Sequence, residues 1–209
     1  MQISNLFVSA GIVAWPLLVF SILSFALAIE RVYFWFRVWK RQEKVIQKAL
    51  QMCQDDWYSS TKLLRQNADL PMCRIFLEAI QLDRPTPEEF RLAIESAAQA
   101  EVPVLRRFSN VFDTVIAISP LLGLLGTVLG LIASFASLRL GDISSSDTVG
   151  VTGGISEALA STVFGLVVAI ITLLFANTFR GLYRRQFSLI QEYGGRLELL
   201  YRKQYEQLS

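Results

Sequence analysis

Three long apolar blocks constrain this chain more than any other feature of its sequence. The first runs from about Leu6 to Ile29 and carries no charge until Glu30-Arg31; the second runs from near Val111 to near Leu138; the third from about Ala158 to Phe179. At about 1.5 Å per helical residue the first block spans roughly 36 Å, enough to cross a hydrocarbon core of about 30 Å with some tilt. A backbone in lipid must satisfy its own polar groups, so blocks of this length predict helices. The expected fold class is therefore all-α: an integral membrane protein with three transmembrane helices and long helical extensions on the cytoplasmic side. The first block is not read as a signal peptide, because it lacks a basic n-region and a small-residue cleavage site and its apolar run is too long. Trp15 at one end, and Tyr33, Trp35 and Trp39 at the other, suit the interfacial belts.

The charges sort by block. Of the 20 Lys and Arg, 13 lie between Arg31 and Arg107 and 6 between Arg180 and Lys203, leaving only Arg139 elsewhere. The positive-inside rule then puts the middle segment and the C-terminal tail in the cytoplasm. The domain boundaries expected on this basis are a first span over 1–30, a cytoplasmic helical region over 31–110, two spans over 111–179 and a cytoplasmic C-terminal helix over 180–209. Residues 139–157, rich in Gly, Ser, Asp and Thr, read as a short external loop. The predicted location is the plasma membrane, multi-pass, with the N-terminus outside.

Within the middle segment, Pro85-Thr86-Pro87-Glu88-Glu89 predicts a helix start, with Thr86 as cap, Pro87 at the first helical position and Glu89 completing a capping box. The helix from there is expected to run into the second span, interrupted or bent at Pro103 and Pro120. After the third span, Leu182, Leu189, Leu197 and Leu200 recur among Arg, Gln and Glu, predicting an amphipathic helix.

Several function classes find no support. There is no histidine, Cys53 and Cys73 do not form a CxxC pair, and no phosphate loop, dinucleotide fingerprint or nucleophile elbow is present. No metal or cofactor is expected, and neither enzymatic activity nor nucleic-acid binding. The two cysteines read as thiols in a reducing compartment. Without histidine, any proton chemistry must use carboxylates, hydroxyls or water.

Small residues form stripes on the second and third spans. Gly123, Gly126, Thr127, Gly130, Ser134 and Ser137 follow helical spacing, and Ala158, Ser161, Thr162, Gly165, Ala169, Thr172 and Ala176 repeat it. Lipid offers no hydrophobic drive between helices, so the glycines and alanines read as packing faces. The hydroxyls of Thr127, Ser161, Thr162 and Thr172 have two readings: bonds back to their own helices, or the lining of a wet path. Glu157, one turn before Ser161, also has two. An ionisable residue at membrane depth is a functional candidate, whereas a carboxylate in the first turn of a helix is stabilised by the dipole without any function.

Some of these residues form longer motifs. Ser119-Pro120-Leu121-Leu122-Gly123-Leu124-Leu125-Gly126-Thr127-Val128-Leu129-Gly130 resembles the signature of the MotA/TolQ/ExbB proton-channel family. Gly154-Ile155-Ser156-Glu157-Ala158-Leu159, with Thr162 and Gly165-Leu166-Val167-Val168-Ala169-Ile170, is similar to that family's third-span motif. Trp15-Pro16-Leu17 and the closing Glu30-Arg31 are similar to its first span. The resemblance implies an ExbB-like proton-channel subunit of an inner-membrane motor: a homopentamer around single-span ExbD- or TolR-type partners, coupled to a TonB-type arm. It further implies pore roles for Thr127 and Thr162, with Glu157 beside them, and leaves Gly123, Gly126, Gly130, Ser161, Gly165 and Ala169 to helix packing. A TolQ-type envelope motor shares these motifs, and a non-conducting membrane scaffold would use the same stripes for packing alone. One departure is Ile171 where many members have proline, which predicts a straighter third helix with an added hydroxyl at Thr172.

Overall fold

The computed structural model describes residues 11–137 and 145–208, except for the side chains of 11, 55, 137, 145–152, 157 and 208. Among the described residues, after a 3-10 turn at Gly11–Val13, six helices follow: α1 (Ala14–Asp55), α2 (Trp57–Gln66), α3 (Pro71–Ile80), α4 (Pro87–Leu105), α5 (Ser109–Ser137) and α6 (Ser145–Leu208). The fold is all-α, with no strand among the described residues. Three stretches, within Ala14–Gln54, Pro87–Ala136 and Gly153–Gln207, are long and apolar enough to cross a membrane, with mean hydropathies of 1.9, 2.3 and 2.5.

The helix ends follow local chemistry. Pro16 lies in the first turn of α1, where no N–H is required. Asp56 caps α2, its carboxylate accepting from the backbone N–H of Tyr58 (2.9 Å) and Ser59 (3.2 Å). Pro71 begins α3. At α4 the expected capping box is present: Glu89 N–H donates to Thr86 Oγ1 (3.3 Å) and Thr86 N–H to Glu89 Oε2 (2.7 Å).

Two expectations about helix ends need correction. The interruption before the second span falls at Arg106–Phe108, not at a proline: Pro103 lies inside α4 and Pro120 inside α5. Phe108 instead takes the left-handed conformation at φ 67°, which ends a helix at any residue able to bear it. The predicted loop over 139–157 is also too long, because α6 already runs from Ser145. Of that loop, residues 139–144 lie outside the described residues. Composition suggested a loop, but Gly154 on this stretch packs against α5, as described below.

The chain divides into two compact units: 11–29 with 108–178, and 30–107 with 179–208. The second unit has a core of large side chains, among them Met72, Ile75, Phe76, Phe90 and Leu197, all fully buried. Leu182, Leu189 and Leu200 pack against it, giving the amphipathic face expected after the third span. Trp57, Phe90 and Tyr201 cluster, the last two stacked at 4.1 Å, and Tyr201 Oη donates to Pro85 O (2.5 Å). Arg74 spans α3 to α4, donating to Glu101 through Nε (2.5 Å) and Nη2 (2.6 Å) and to Ala68 O (2.8 Å); that pairing raises its already high pKa. Arg31 is 2% exposed, pairs with Glu30 (2.8 Å) and donates to Val104 O (3.1 Å), a carbonyl in the last turn of α4 that also accepts from the Arg107 N–H (3.4 Å).

Candidate functional site: the α5–α6 small-residue seam

In the first unit the two stripes face each other within one chain. A methyl group at Gly123 would sit 3.0 Å from both Ser161 O and Thr162 Cα. At Gly126 it would meet Ser161, with Cβ at 2.6 Å; at Gly130 it would meet Ala158 Cβ at 2.9 Å and Gly154 O at 3.0 Å. From the other side, a methyl at Gly165 would run into Ser119 O and lie 3.1 Å from Gly123 Cα. The helices touch backbone to backbone, a distance that only glycine allows here. Ala158, Ser161, Ala169, Thr172 and Ala176 are buried along the same face of α6.

The seam extends beyond its predicted end. A methyl at Gly154 would collide with the Ser134 hydroxyl and lie 3.1 Å from Gly130 O. Gly154 was read as loop, although it stands four residues before Ala158 and so continues the stripe; spacing was the available signal. Sequence reading missed Ser24 and named Ser119 only within the second-span motif; both are buried, and their hydroxyls find no hydrogen-bond partner among the described residues.

The hydroxyls converge on one carbonyl. Thr162 Oγ1 and Ser161 Oγ each donate to Gly123 O at 3.1 Å, bridging α6 to α5, and Ser161 Oγ also reaches Ala158 O (2.7 Å). Thr127, four residues after Gly123 on the same face, bonds within its own helix to Leu124 O (2.6 Å). Thr172 bonds back to Val168 O (2.8 Å) and Ser134 to Gly130 O (2.9 Å). Each hydroxyl thus spends its single proton on a carbonyl and keeps acceptor lone pairs, which can still take a hydrogen bond from water. Thr127 and Thr162 are both partly exposed, whereas Ser161 is buried.

Glu157 lies twelve residues after Ser145, where α6 begins, so it is not in a first turn and the helix-end account does not explain it. Its side chain lies outside the described residues. The helix continues through Ile171.

A seam of glycines and hydroxyls between two apolar helices is a packing face suited to lipid rather than to water. Comparison with known proteins agrees. The family model for the MotA/TolQ/ExbB proton channel family matches residues 67–192. A Synechocystis sp. protein named ExbB-like 3 is 58% identical over 199 residues, 95% of this chain and 95% of that protein. A second Synechocystis protein, ExbB-like 1, is 37% identical over 94% of this chain and 78% of its own length. The Salmonella typhimurium biopolymer transport protein ExbB is 37% identical over 90 residues, covering 43% of this chain and 35% of that protein. The chain belongs to the MotA/TolQ/ExbB proton channel family, as an ExbB-like member.

Proposed function

We propose that this chain is the proton-channel subunit of an inner-membrane energy-transducing complex, using the proton motive force to drive ExbB-type transport across the cell envelope. The observation that carries the reading is the convergence of Ser161 and Thr162 on Gly123 O, with Thr127 one turn away, which sets the partly exposed Thr127 and Thr162 hydroxyls on one small-residue face. The chain has no histidine, so Thr127 and Thr162 would hold water in the path and Glu157 would be the titratable group near its mouth. Gly123, Gly126, Gly130, Ser161, Gly165 and Ala169 set the helix separation that holds those hydroxyls in place.

The proposed assembly is a homo-oligomer, a pentamer by family resemblance, around a single-span ExbD- or TolR-type partner and acting on a TonB-type protein. The relatives' ExbB-like names favour this over a TolQ-type role. The proposed orientation places the N-terminus outside and the C-terminus in the cytoplasm. Native Cys53 and Cys73 are both buried and are poor labelling reporters. A cysteine introduced at exposed Lys62 or Lys203 should react only from the cytoplasmic face.

The deciding experiment measures proton flux in liposomes holding the chain and its single-span partner, beside oligomer size by native mass spectrometry. Thr127→Val and Thr162→Val keep shape but lose the hydroxyl; Glu157→Gln keeps volume but loses titration. All three should assemble and conduct less. Full flux in three correctly assembled variants would leave a non-conducting scaffold as the better account.

A further inference from the structure

The second unit carries its charge unevenly. The chain enters or leaves it at 29–30, 107–108 and 178–179, and each of these points adjoins one of the three apolar blocks. Within twelve residues of them, about 18 Å along a helix, residues 30–41, 96–107 and 179–190 hold nine Lys and Arg against two acids, Glu30 and Glu101. Both acids are already bound, by Arg31 at 2.8 Å and by Arg74 at 2.5 Å. The rest of the unit, residues 42–95 and 191–209, holds ten Lys and Arg against twelve acids. The end beside the apolar blocks is strongly positive and the remainder slightly negative.

Membrane insertion explains only half of this pattern. Lys and Arg fix which side of a bilayer a segment takes, but Asp and Glu contribute little to that choice. The rule accounts for the cations and leaves the exclusion of acids from the same turns without a cause. A negative surface facing this end of the unit supplies one, because it attracts cations and repels carboxylates together.

The side chains are placed to meet such a surface. Lys40, Arg106, Arg184 and Arg185 are exposed and form no ion pair among the described residues. Lys40 stands over the Phe36 ring and Arg106 over the Tyr183 ring, each at 5.7 Å. A second feature marks the same level of α1. Tyr33, Phe36 and Trp39 are 62%, 56% and 69% exposed within two turns, and clustered rings of that kind suit a headgroup layer, dry on one side and wet on the other. We infer that this end of the second unit binds the anionic phospholipids of the adjoining leaflet, its free cations on lipid phosphates and its three exposed rings among the headgroups. The inference needs only that the apolar blocks span a bilayer, and it stands independently of the channel reading.

The test reconstitutes the full-length protein in phosphatidylcholine and follows spin-labelled phosphatidylglycerol and phosphatidylcholine by electron paramagnetic resonance, which gives the ratio of their affinities for the protein. The wild type should prefer phosphatidylglycerol by about fivefold at low salt. The preference should fall below about twofold near 1 M salt, where the Debye length is only about 3 Å. Lys40→Gln, Arg184→Gln and Arg185→Gln combined should cause the same fall at low salt. Lys48→Gln, Lys62→Gln and Lys203→Gln combined lower the net charge equally but away from the apolar blocks, and should keep the wild-type preference. Equal affinity for both lipids in the wild type overturns the inference and leaves the cations as determinants of topology alone. So does a preference that survives the first triple variant in correctly inserted protein, or one that the second triple variant loses equally. Should the first variant fail to insert, the salt series on the wild type decides. Displacement of the lipid by inorganic phosphate beyond that by chloride at equal ionic strength also overturns it, since the surface would then be a site for free anions.

Discussion

The two units of this molecule are both helical, yet they are held together by opposite means. In the first, α5 and α6 meet through Gly123, Gly126, Gly130, Gly154 and Gly165, with side chains no larger than Ser, Thr or Ala at the contact. In the second, helices meet through Phe76, Phe90, Ile75 and Met72, with Arg74–Glu101 pinning α3 to α4. The solvent explains the difference. Large apolar side chains associate in water because water expels them, a force that vanishes when the alternative is a lipid tail as apolar as leucine. What remains in lipid is close van der Waals contact and hydrogen bonding between helices, and both need small residues. Accordingly the first unit turns its large side chains outward: Leu121, Leu124, Ile132, Phe135, Leu159 and Leu174 are all exposed.

If that contrast is right, truncating a large side chain should damage the second unit most. Phe76 is fully buried, and Phe76→Ala should destabilise that unit by about 3–5 kcal/mol, read as early proteolysis of 30–107 during denaturant titration. The corresponding injury to the first unit is enlargement. Gly165→Ala drives a methyl group into Ser119 O, where backbone on both helices must give way, and should cost about 1–3 kcal/mol. Thermal unfolding in detergent measures it. An unchanged midpoint would mean that the α5–α6 seam is looser than the structure shows.

A pH effect belongs to the second unit. Burial, with a smaller contribution from nearby Asp69, pushes the Cys73 thiol from 9.0 up to about 12. The folded form holds its proton longer than the unfolded chain does, so this stabilisation is complete below pH 9 and is lost as pH rises from about 9 towards 12. The loss should be about 1.4 kcal/mol for each pH unit in that window, and Cys73→Ala should flatten the slope. The smallest effect sharpens the glycine argument by its opposite. A methyl at Gly181 meets nothing within 4 Å, so Gly181→Ala should stabilise helix α6 by about 0.5–1 kcal/mol. Destabilisation there instead would show that glycines outside the seam are also constrained by contact.

Much of the candidate site was legible because helical spacing converts directly into a face. Gly123, Gly126 and Gly130, set against Ser161 and Gly165, needed only the period of the helix to be recognised as stripes. What spacing does not carry is the partner. That Thr162 bonds to Gly123 O whereas Thr127 turns back to Leu124 O depends on the relative rotation of α5 and α6. Composition misled at Gly154, since a Gly-Ser-Thr stretch resembles a loop until a second helix is present to pack against it. The buried hydrogen bond from Gln42 Nε2 to Gln186 Oε1 was invisible for a related reason: two glutamines 144 residues apart, each among charged neighbours, look like solvated surface.

By itself the sequence determined the helical class, the three apolar spans, the Thr86–Glu89 helix start and the small-residue faces. All of these depend on intervals of a few residues and on the solvent in which each segment lies. Only the tertiary structure decided that α6 begins by Ser145, that the break before the second span falls at Phe108, and which carbonyl each hydroxyl takes. It also decided that the buried Ser24 and Ser119 hydroxyls take no partner among the described residues. Those outcomes depend on what stands opposite a residue in space, and a one-dimensional pattern holds the shape of a face but not the identity of what meets it.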